Sequence, residues 1–306
     1  MRTELSPYAR VAIFVGFVCA TSSIFYFLII HAGNLGAGRG IFTLGLMWCP
    51  AVSALLTLAV CGGQFSSLGW TWGKTRYQVL SYLIPLAYAS VAYLIAWSTG
   101  LAGIGNPEFL AGVAQDYGWT NWPDSAVVIG YVVLQATVGM IPSCAHSLGE
   151  EIGWRGFLVP ELSRFLSFPV MAVVSGLIWA AWHYPLVLFA DYNSGTPAWY
   201  ALTCFSVLAV GISFPFAWMR LRSGSVWTAM ILHGSHNMFI QTVFDRFTSD
   251  TGVTRYITGE FGLMLALVGI VVGVVCMRVR TLVEAVPDSE SSAGPPAEPE
   301  AVPNSR

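Results

Sequence analysis

Charged residues are scarce in this chain. Only 10% of its 306 residues are charged, whereas 55% are hydrophobic. A soluble globular domain carries roughly a quarter charged residues, so water cannot be the main solvent of this protein. The net charge of -2 and the lack of any Lys/Arg-rich run leave no basic surface for a phosphate backbone. We therefore exclude nucleic acid as a partner.

Cysteine and histidine patterns typical of metal or redox sites are also missing. The six cysteines stand singly, within or at the ends of apolar stretches, and none forms a CxxC pair. Isolated cysteines of this kind behave as small core residues. The sequence also lacks HExxH, the spacing that presents two zinc ligands and a base on one helix.

Long uncharged hydrophobic runs, by contrast, are abundant. A membrane-spanning helix needs about 20 mostly apolar residues, because hydrocarbon offers no partners to the backbone. Eight runs are near this length: 11–30, 41–61, 79–99, 126–145, 168–190, 199–219, 226–244 and 261–277. The first run is too long for the apolar centre of a cleavable signal peptide. The sequence therefore predicts an all-α fold, a polytopic membrane helix bundle of about eight transmembrane helices, over residues 1–284.

Basic residues are distributed unevenly between the predicted loops. Lys and Arg concentrate on the cytoplasmic side of membrane proteins. With a cytoplasmic N-terminus, eleven of the 14 basic residues lie on that side, and only Arg39, Arg246 and Arg255 lie outside. We expect a multi-pass protein of the cell membrane with both termini in the cytoplasm. Residues 285–306, rich in Pro, Ser, Ala and Glu, predict a disordered cytoplasmic tail.

Two adjacent carboxylates follow the fourth run without a turn signal. Ionisable side chains in a membrane are costly unless they are paired or face a cavity. If the helix continues, Glu151 and Arg155 lie four residues apart, in the favourable order for an ion pair. Glu150 then projects about 100° away, free to act as a base. The alternative interpretation is a solvated helix end near the cytoplasmic surface.

Histidines and an asparagine lie within the later runs. His183 belongs to the fifth run, and a lone core histidine is its simplest interpretation. His233 and Asn237 lie four residues apart on one helix face, where they can donate two hydrogen bonds to one oxygen. An oxyanion requires such an arrangement. His236 points elsewhere, and we expect a supporting or packing role for it.

Three short motifs follow one another on these runs. They are EEIGWR at 150–155, WAAWH at 179–183 and HGSHN at 233–237. Their order and placement resemble the EExxxR, FxxxH and HxxxN motifs of the CAAX-protease and bacteriocin-processing family, also called CPBP or Abi. The resemblance covers about residues 126–244. One departure is Trp179, where the family usually has Phe; this keeps an aromatic wall but alters the shape of the cavity.

The resemblance implies an intramembrane endopeptidase. In that family pattern, Glu150 activates a water with help from His183, while His233 and Asn237 stabilise the oxyanion. The expected substrate is a membrane protein or peptide, lipidated or otherwise membrane-bound, cut near the cytoplasmic membrane face. We expect no cofactor, since Asn237 is a poor zinc ligand but a good amide donor. The alternative is a zinc site formed by Glu150, His183 and His233.

A non-enzymatic membrane scaffold or transporter is the alternative function. Transporters use clustered Glu and His residues for proton relay or binding. Their folds usually contain internal repeats. We find no convincing repeat between the two halves of this sequence, and the three motifs occupy only the second half. This favours the enzyme.

Overall fold

The computed structural model describes residues 5–285, so the predicted disordered tail lies outside the described residues except for Ala285. Within this range the chain is mainly helical, which confirms the polytopic helix bundle. In chain order the helices are α1 (Pro7–Ala32), α2 (Ile41–Cys61), α3 (Thr75–Ser98), α4 (Pro107–Asp116), α5 (Asp124–Ser163), α6 (Phe168–Phe189), α7 (Ala198–Ser223), α8 (226–247), α9 (Thr254–Ile257) and α10 (Leu263–Ala285). Short 3₁₀ turns cover Ala37–Gly40 and Phe65–Leu68, and strands β1 (Gly103–Ile104) and β2 (Thr248–Ser249) pair antiparallel.

Seven of the described helices are long and apolar enough to cross a membrane: α1, α2, α3, α5, α6, α7 and α10. The predicted run 226–244 forms α8, which is continuous but less apolar because it carries His233, His236 and Asn237. Both histidines are buried against neighbouring helices. Helix α8 is thus an inner element of the bundle, and the seven apolar helices account for the other predicted runs.

Helix α5 is much longer than the run that predicted it. It extends over 40 residues to Ser163, whereas the fourth apolar run ended at Ala145. Glu150 and Glu151 therefore lie inside a helix, with exposed fractions of 2% and 0%. The interpretation of these carboxylates as a solvated helix end is wrong, because α2, α6 and α8 pack around this part of α5.

Glycines allow α5 to approach α2 closely at this level. A Cβ added to Gly149 would lie 2.7 Å from the Met47 carbonyl oxygen, and one added to Gly153 would lie 2.6 Å from the Pro50 carbonyl carbon. Small residues four apart are typical of close helix contacts in membranes. The two glycines flank the glutamate pair, so this contact sets the position of the EEIGWR motif against α2.

Two π-helical segments lie directly after motif residues. One, Ile152–Leu158, follows Glu151 in α5, and the other, Met238–Phe244, follows Asn237 in α8. π-Helical turns are rare, and they occur frequently at functional sites. Because they widen the helix, they change the direction in which the following side chains project.

We predict that Gly153→Ala destabilises the bundle, because its Cβ would meet the α2 backbone rather than a movable side chain. Overpacking of this kind costs about 1–3 kcal/mol of unfolding free energy. Thermal unfolding in detergent measures the effect. Gly16→Ala is the matched control, since Gly16 lies in α1 with no atom within 4 Å of its added Cβ. Equal melting temperatures for the two variants would contradict the proposed close contact.

Candidate active site

A buried ion pair lies at the base of the site. Arg155 Nη1 donates to Glu151 Oε1 at 2.8 Å, and the two side chains are 1% and 0% exposed. This is the pair that the four-residue spacing predicted. Such a buried pair requires good geometry, because each ion gives up its hydration.

Aromatic rings surround the guanidinium of Arg155. Its Cζ lies 4.3 Å from the ring centroid of Trp179 and 4.2 Å from that of Phe216. The ring quadrupoles attract a cation, and the attraction is strongest where water is excluded. Arg155 is thus held by a carboxylate and by two aromatic side chains from α6 and α7.

Glu151 also fixes the orientation of His233. Its Oε1 atom lies 2.8 Å from His233 Nδ1. An ionised carboxylate only accepts hydrogen bonds, so Nδ1 of His233 carries the proton and donates it. The remaining ring nitrogen, Nε2, is left available to the cavity. Sequence reasoning assigned Glu151 to Arg155 alone and did not anticipate this second contact.

Glu150 projects away from this pair and is held by tryptophans. Trp179 Nε1 donates to Glu150 Oε2 at 2.9 Å, and Trp154 Nε1 approaches the same oxygen at 3.4 Å. Both donors are neutral, so they orient the carboxylate without supplying a counter-ion. The other oxygen, Oε1, forms none of the hydrogen bonds found among the described residues.

The substitution of Trp179 for the usual Phe of the family motif therefore adds a hydrogen bond to the Glu150 carboxylate. Trp179 stands where Phe was expected, and its indole N–H makes a bond that a phenyl ring cannot make. The same ring lies 5.4 Å from that of His233 and 5.9 Å from that of His183. Trp179 thus contacts the Glu150 carboxylate and both histidine rings, in addition to lining the cavity with an aromatic ring.

The four residues expected to carry the chemistry line one cavity. It has a volume of about 260 Å³, and its polar lining comprises Thr43, Glu150, His183, Tyr192, His233, His236, Asn237, Gln241 and Glu260, with Trp179 and Trp182. His183 Nδ1 donates to the Trp179 carbonyl oxygen at 2.9 Å, which leaves its Nε2 available. The Asn237 amide has no hydrogen-bond partner among the described residues.

The alternative zinc set of Glu150, His183 and His233 stays a prediction. Among residues 5–285, no group of three or more His, Cys, Asp or Glu side chains is arranged to hold a metal ion. Nδ1 of His183 and Nδ1 of His233 are both bonded within the protein. Glu150, His183 and His233 line the same cavity, and the hydrogen bonds of both histidines among the described residues engage Nδ1 only.

A second carboxylate–histidine pair, Glu260 with His236, lines the same cavity. The sequence analysis singled out His236 but not Glu260. His236 Nε2 lies 2.8 Å from Glu260 Oε1, and His236 Nδ1 bonds the hydroxyl of Tyr88. Tyr192 donates to Glu260 Oε2 at 3.1 Å. Both ring nitrogens of His236 are therefore occupied, which agrees with a supporting role. The available signal for Glu260 was its isolation at the start of the last apolar run.

Glu260 lines the cavity and precedes the last apolar helix, α10. Burial opposes its ionisation, but hydrogen bonds from His236, Gln241 and Tyr192 and the charge interaction with His236 lower its pKa to about 2. Burial also raises the pKa of Tyr192 well above its usual range, so this hydroxyl stays a donor. Glu260 is thus an anion at neutral pH.

Together, the fold and the cavity define a multi-pass membrane helix bundle with a buried carboxylate–histidine site. Residues 126–239 match the family described as Type II CAAX prenyl endopeptidase Rce1-like. This match confirms the resemblance that the three motifs indicated. A relative from Methanococcus maripaludis, described as CAAX prenyl protease 2, is 30% identical over 127 residues, which is 39% of this chain and 44% of the relative. The chain thus aligns with less than half of that relative's length.

We predict that Glu151→Gln strongly lowers the folded yield. The substitution leaves the Arg155 guanidinium buried without its counter-ion, and breaking such a pair costs about 3–5 kcal/mol. Neutralising both partners in Glu151→Gln/Arg155→Gln should restore part of the loss, because the two effects are coupled. Monodisperse elution after detergent extraction measures the yield. Glu108→Gln, an exposed site in α4, is the control; a loss as large there would argue against the ion pair as the cause.

Proposed function

We propose that this protein is an intramembrane endopeptidase in which Glu150 activates the hydrolytic water. The observation that carries the proposal is the environment of Glu150. One carboxylate oxygen is held by indole N–H groups, and the side chain lines a polar cavity in the bundle. A carboxylate held in this way on one side can take a proton on the other. Hydrolysis inside a membrane requires such a cavity, since the surrounding hydrocarbon excludes water.

In the proposed reaction, Glu150 takes a proton from a water as the water oxygen attacks the peptide carbonyl carbon. The new C–O bond gives a tetrahedral intermediate with a negatively charged oxygen. Glu150 then returns the proton to the nitrogen of the scissile bond, which leaves as an amine. His183 assists by orienting the water through its Nε2 atom, since its Nδ1 is bonded to Trp179.

Stabilisation of the oxyanion is assigned to α8. His233 and Asn237 lie one turn apart and line the cavity together. The Asn237 amide has no competing partner among the described residues, so it is free to donate. For His233 to donate through Nε2, the ring must be protonated. The adjacent Glu151 carboxylate favours that form, because its negative charge stabilises the cationic ring and its Oε1 accepts a hydrogen bond from Nδ1–H.

The substrate class that this site fits is a polypeptide held at or in the membrane, with or without a lipid. The family match and the name of the archaeal relative, a CAAX prenyl protease, support a peptide substrate. Cleavage near the cytoplasmic membrane face stays a prediction from the sequence, and entry of the substrate from the opposite side of the membrane would contradict it. The scaffold or transporter function predicts a different result in the experiments below, because it does not require Glu150 to accept a proton from water.

We predict that Glu150→Gln preserves folding but abolishes turnover. The amide keeps the size and the indole hydrogen bonds of Glu150 but cannot accept a proton, and general-base catalysis contributes about 10²-fold or more to rate. Peptides from membranes that express wild type or the variant are compared by mass spectrometry. A membrane-protein fragment should disappear, and its precursor accumulate, only in the variant. Equal cleavage in the two membranes would favour the scaffold.

We also predict that the activity survives chelation. The proposed mechanism uses carboxylate, imidazole and amide groups only, so prolonged treatment with a strong chelator should leave turnover unchanged. Elemental analysis of the purified protein should find no stoichiometric zinc. Loss of activity that added zinc restores would replace the glutamate mechanism with a metal-dependent one.

A further inference from the structure

The two ends of the bundle differ in their relation to the cavity. We call proximal the end formed by Pro7, segment 62–74 and segment 164–167, and distal the end formed by segments 33–40, 190–197 and 248–262. Contacts within each end support this division. Proximally, Arg10 pairs with Glu161 at 2.9 Å and Val226 N donates to the Gly69 carbonyl oxygen at 2.7 Å. Distally, the Tyr192 hydroxyl donates to Glu260.

The cavity extends from Glu150 towards the distal end. Its lining includes Leu35, Tyr192 and Glu260, which all belong to distal segments. Thr43 lies in the first turn of α2 at the same end, and its hydroxyl donates to the Leu35 carbonyl oxygen at 2.6 Å. None of the lining residues belongs to the proximal segments.

On the proximal side, buried side chains close the cavity. Trp154, Leu158 and Phe216 are at most 1% exposed, and Arg155 fills the space between Phe216 and Trp179. Leu68, from the proximal 3₁₀ turn, is 0% exposed and lies beside Gly156. A polypeptide could reach Glu150 from this side only by displacing the buried ion pair.

A polar cleft adjoins the cavity on the distal side. It has a volume of about 480 Å³ and is lined by charged and hydroxyl side chains that include Asp245, Asp250, Arg255 and Thr258. Gln241 lines both the cleft and the cavity. The cleft therefore offers water a polar route to the site that does not cross hydrocarbon.

The charge distribution assigns the two ends to opposite sides of the membrane. Of the 12 basic residues among residues 5–285, nine lie in proximal segments or in the proximal halves of their helices, whereas Arg39, Arg246 and Arg255 belong to distal segments or border them. By the positive-inside rule the distal end is extracytoplasmic. We propose that the cavity is entered from the extracytoplasmic side, so that its substrate is an exported or membrane-anchored polypeptide exposed there. The substrate part of this inference rests on the proposed hydrolytic function, whereas the side of entry does not depend on it.

The charge of the residues that line the cavity limits which kind of substrate polypeptide can enter it. Glu150 and Glu260 line the cavity, and no Lys or Arg is among its described lining residues. A segment that brings a further carboxylate into the cavity would be repelled by Glu150 and Glu260, and it would compete with the oxyanion for protonated His233. An uncharged or cationic stretch of chain therefore fits better than a free C-terminal carboxylate.

Labelling of engineered cysteines on intact cells tests the side of entry. In a chain whose six native cysteines are replaced by Ala, Thr43→Cys places a thiol at the cavity. Asn34→Cys marks the distal surface and Ser66→Cys marks the proximal surface, since both positions are exposed. The probe is a membrane-impermeant methanethiosulfonate that carries a quaternary ammonium group. We expect Thr43→Cys and Asn34→Cys to react on intact cells, and Ser66→Cys to react only after permeabilisation.

Two results would overturn the inference. In the first, Ser66→Cys reacts on intact cells and Thr43→Cys only after permeabilisation, which would place the distal end in the cytoplasm. In the second, Thr43→Cys resists the probe throughout while Asn34→Cys reacts, which would exclude distal entry. If the cysteine-free chain does not fold, the same substitutions are compared in the native background after subtraction of its own labelling. Labelling does not require turnover, so it stands even if Glu150→Gln proves as active as wild type.

The same chain tests the charge of the cavity. We expect the cationic reagent to modify Thr43→Cys several-fold faster than an anionic sulfonate reagent, relative to their rates at Asn34→Cys. The exposed site corrects for the intrinsic reactivity of the two reagents. Equal relative rates at the two sites would overturn the assignment of an acidic cavity, and a faster anionic reagent would reverse it.

Discussion

The buried guanidinium of Arg155 is the constraint on which the rest of the site depends. A cation inside a membrane protein must be compensated, and here Glu151 supplies the charge while Trp179 and Phe216 supply the ring faces. Each of these partners has a second contact in the site. Glu151 orients His233, and Trp179 donates to Glu150. Compensation of one charge thus determines where the proposed base, Glu150, and one proposed oxyanion donor, His233, lie, and a change in the pair is expected to alter the positions of both.

Close packing of α5 against α2 gives this arrangement its rigid frame. Gly149 and Gly153 bring the two backbones into contact on either side of the glutamates. One face of the motif segment is therefore fixed against α2, while Glu150 lines the cavity. The π-helical segment that starts at Ile152 then carries Trp154 towards Glu150 and Arg155 towards Glu151. A site built on packed helices holds its side chains more precisely than one built on loops.

Two carboxylate–histidine pairs border the cavity and differ in how the histidine is bonded. In the pair Glu151–His233, only Nδ1 of the ring is hydrogen-bonded among the described residues, and in the pair Glu260–His236 both ring nitrogens are bonded within the protein. The second pair, with Tyr192, joins α8 to the distal segments around the cavity. Its histidine lies within the residues that match the Rce1-like family, whereas its carboxylate, Glu260, follows the end of that match. Glu260 and Tyr192 thus line the cavity together with the motif residues, although neither belongs to a motif.

The sequence by itself determined the class of fold, seven of the eight predicted apolar spans and the ion pair between Glu151 and Arg155. Apolar run length and four-residue spacing are local properties, and they persist whatever the neighbouring helices do. The sequence could not determine that Glu151 bonds His233, that Trp179 bonds Glu150, or that Glu260 joins the cavity, because each contact spans helices far apart in the chain. The length of α5 was missed for the same reason: its charged residues ended the apolar run, and only partners on other helices allow them to lie inside the bundle. The end of the bundle from which the cavity is reached likewise depends on which helix ends meet, so it was decided by the tertiary structure, whereas the basic residues of the sequence assign that end to one side of the membrane.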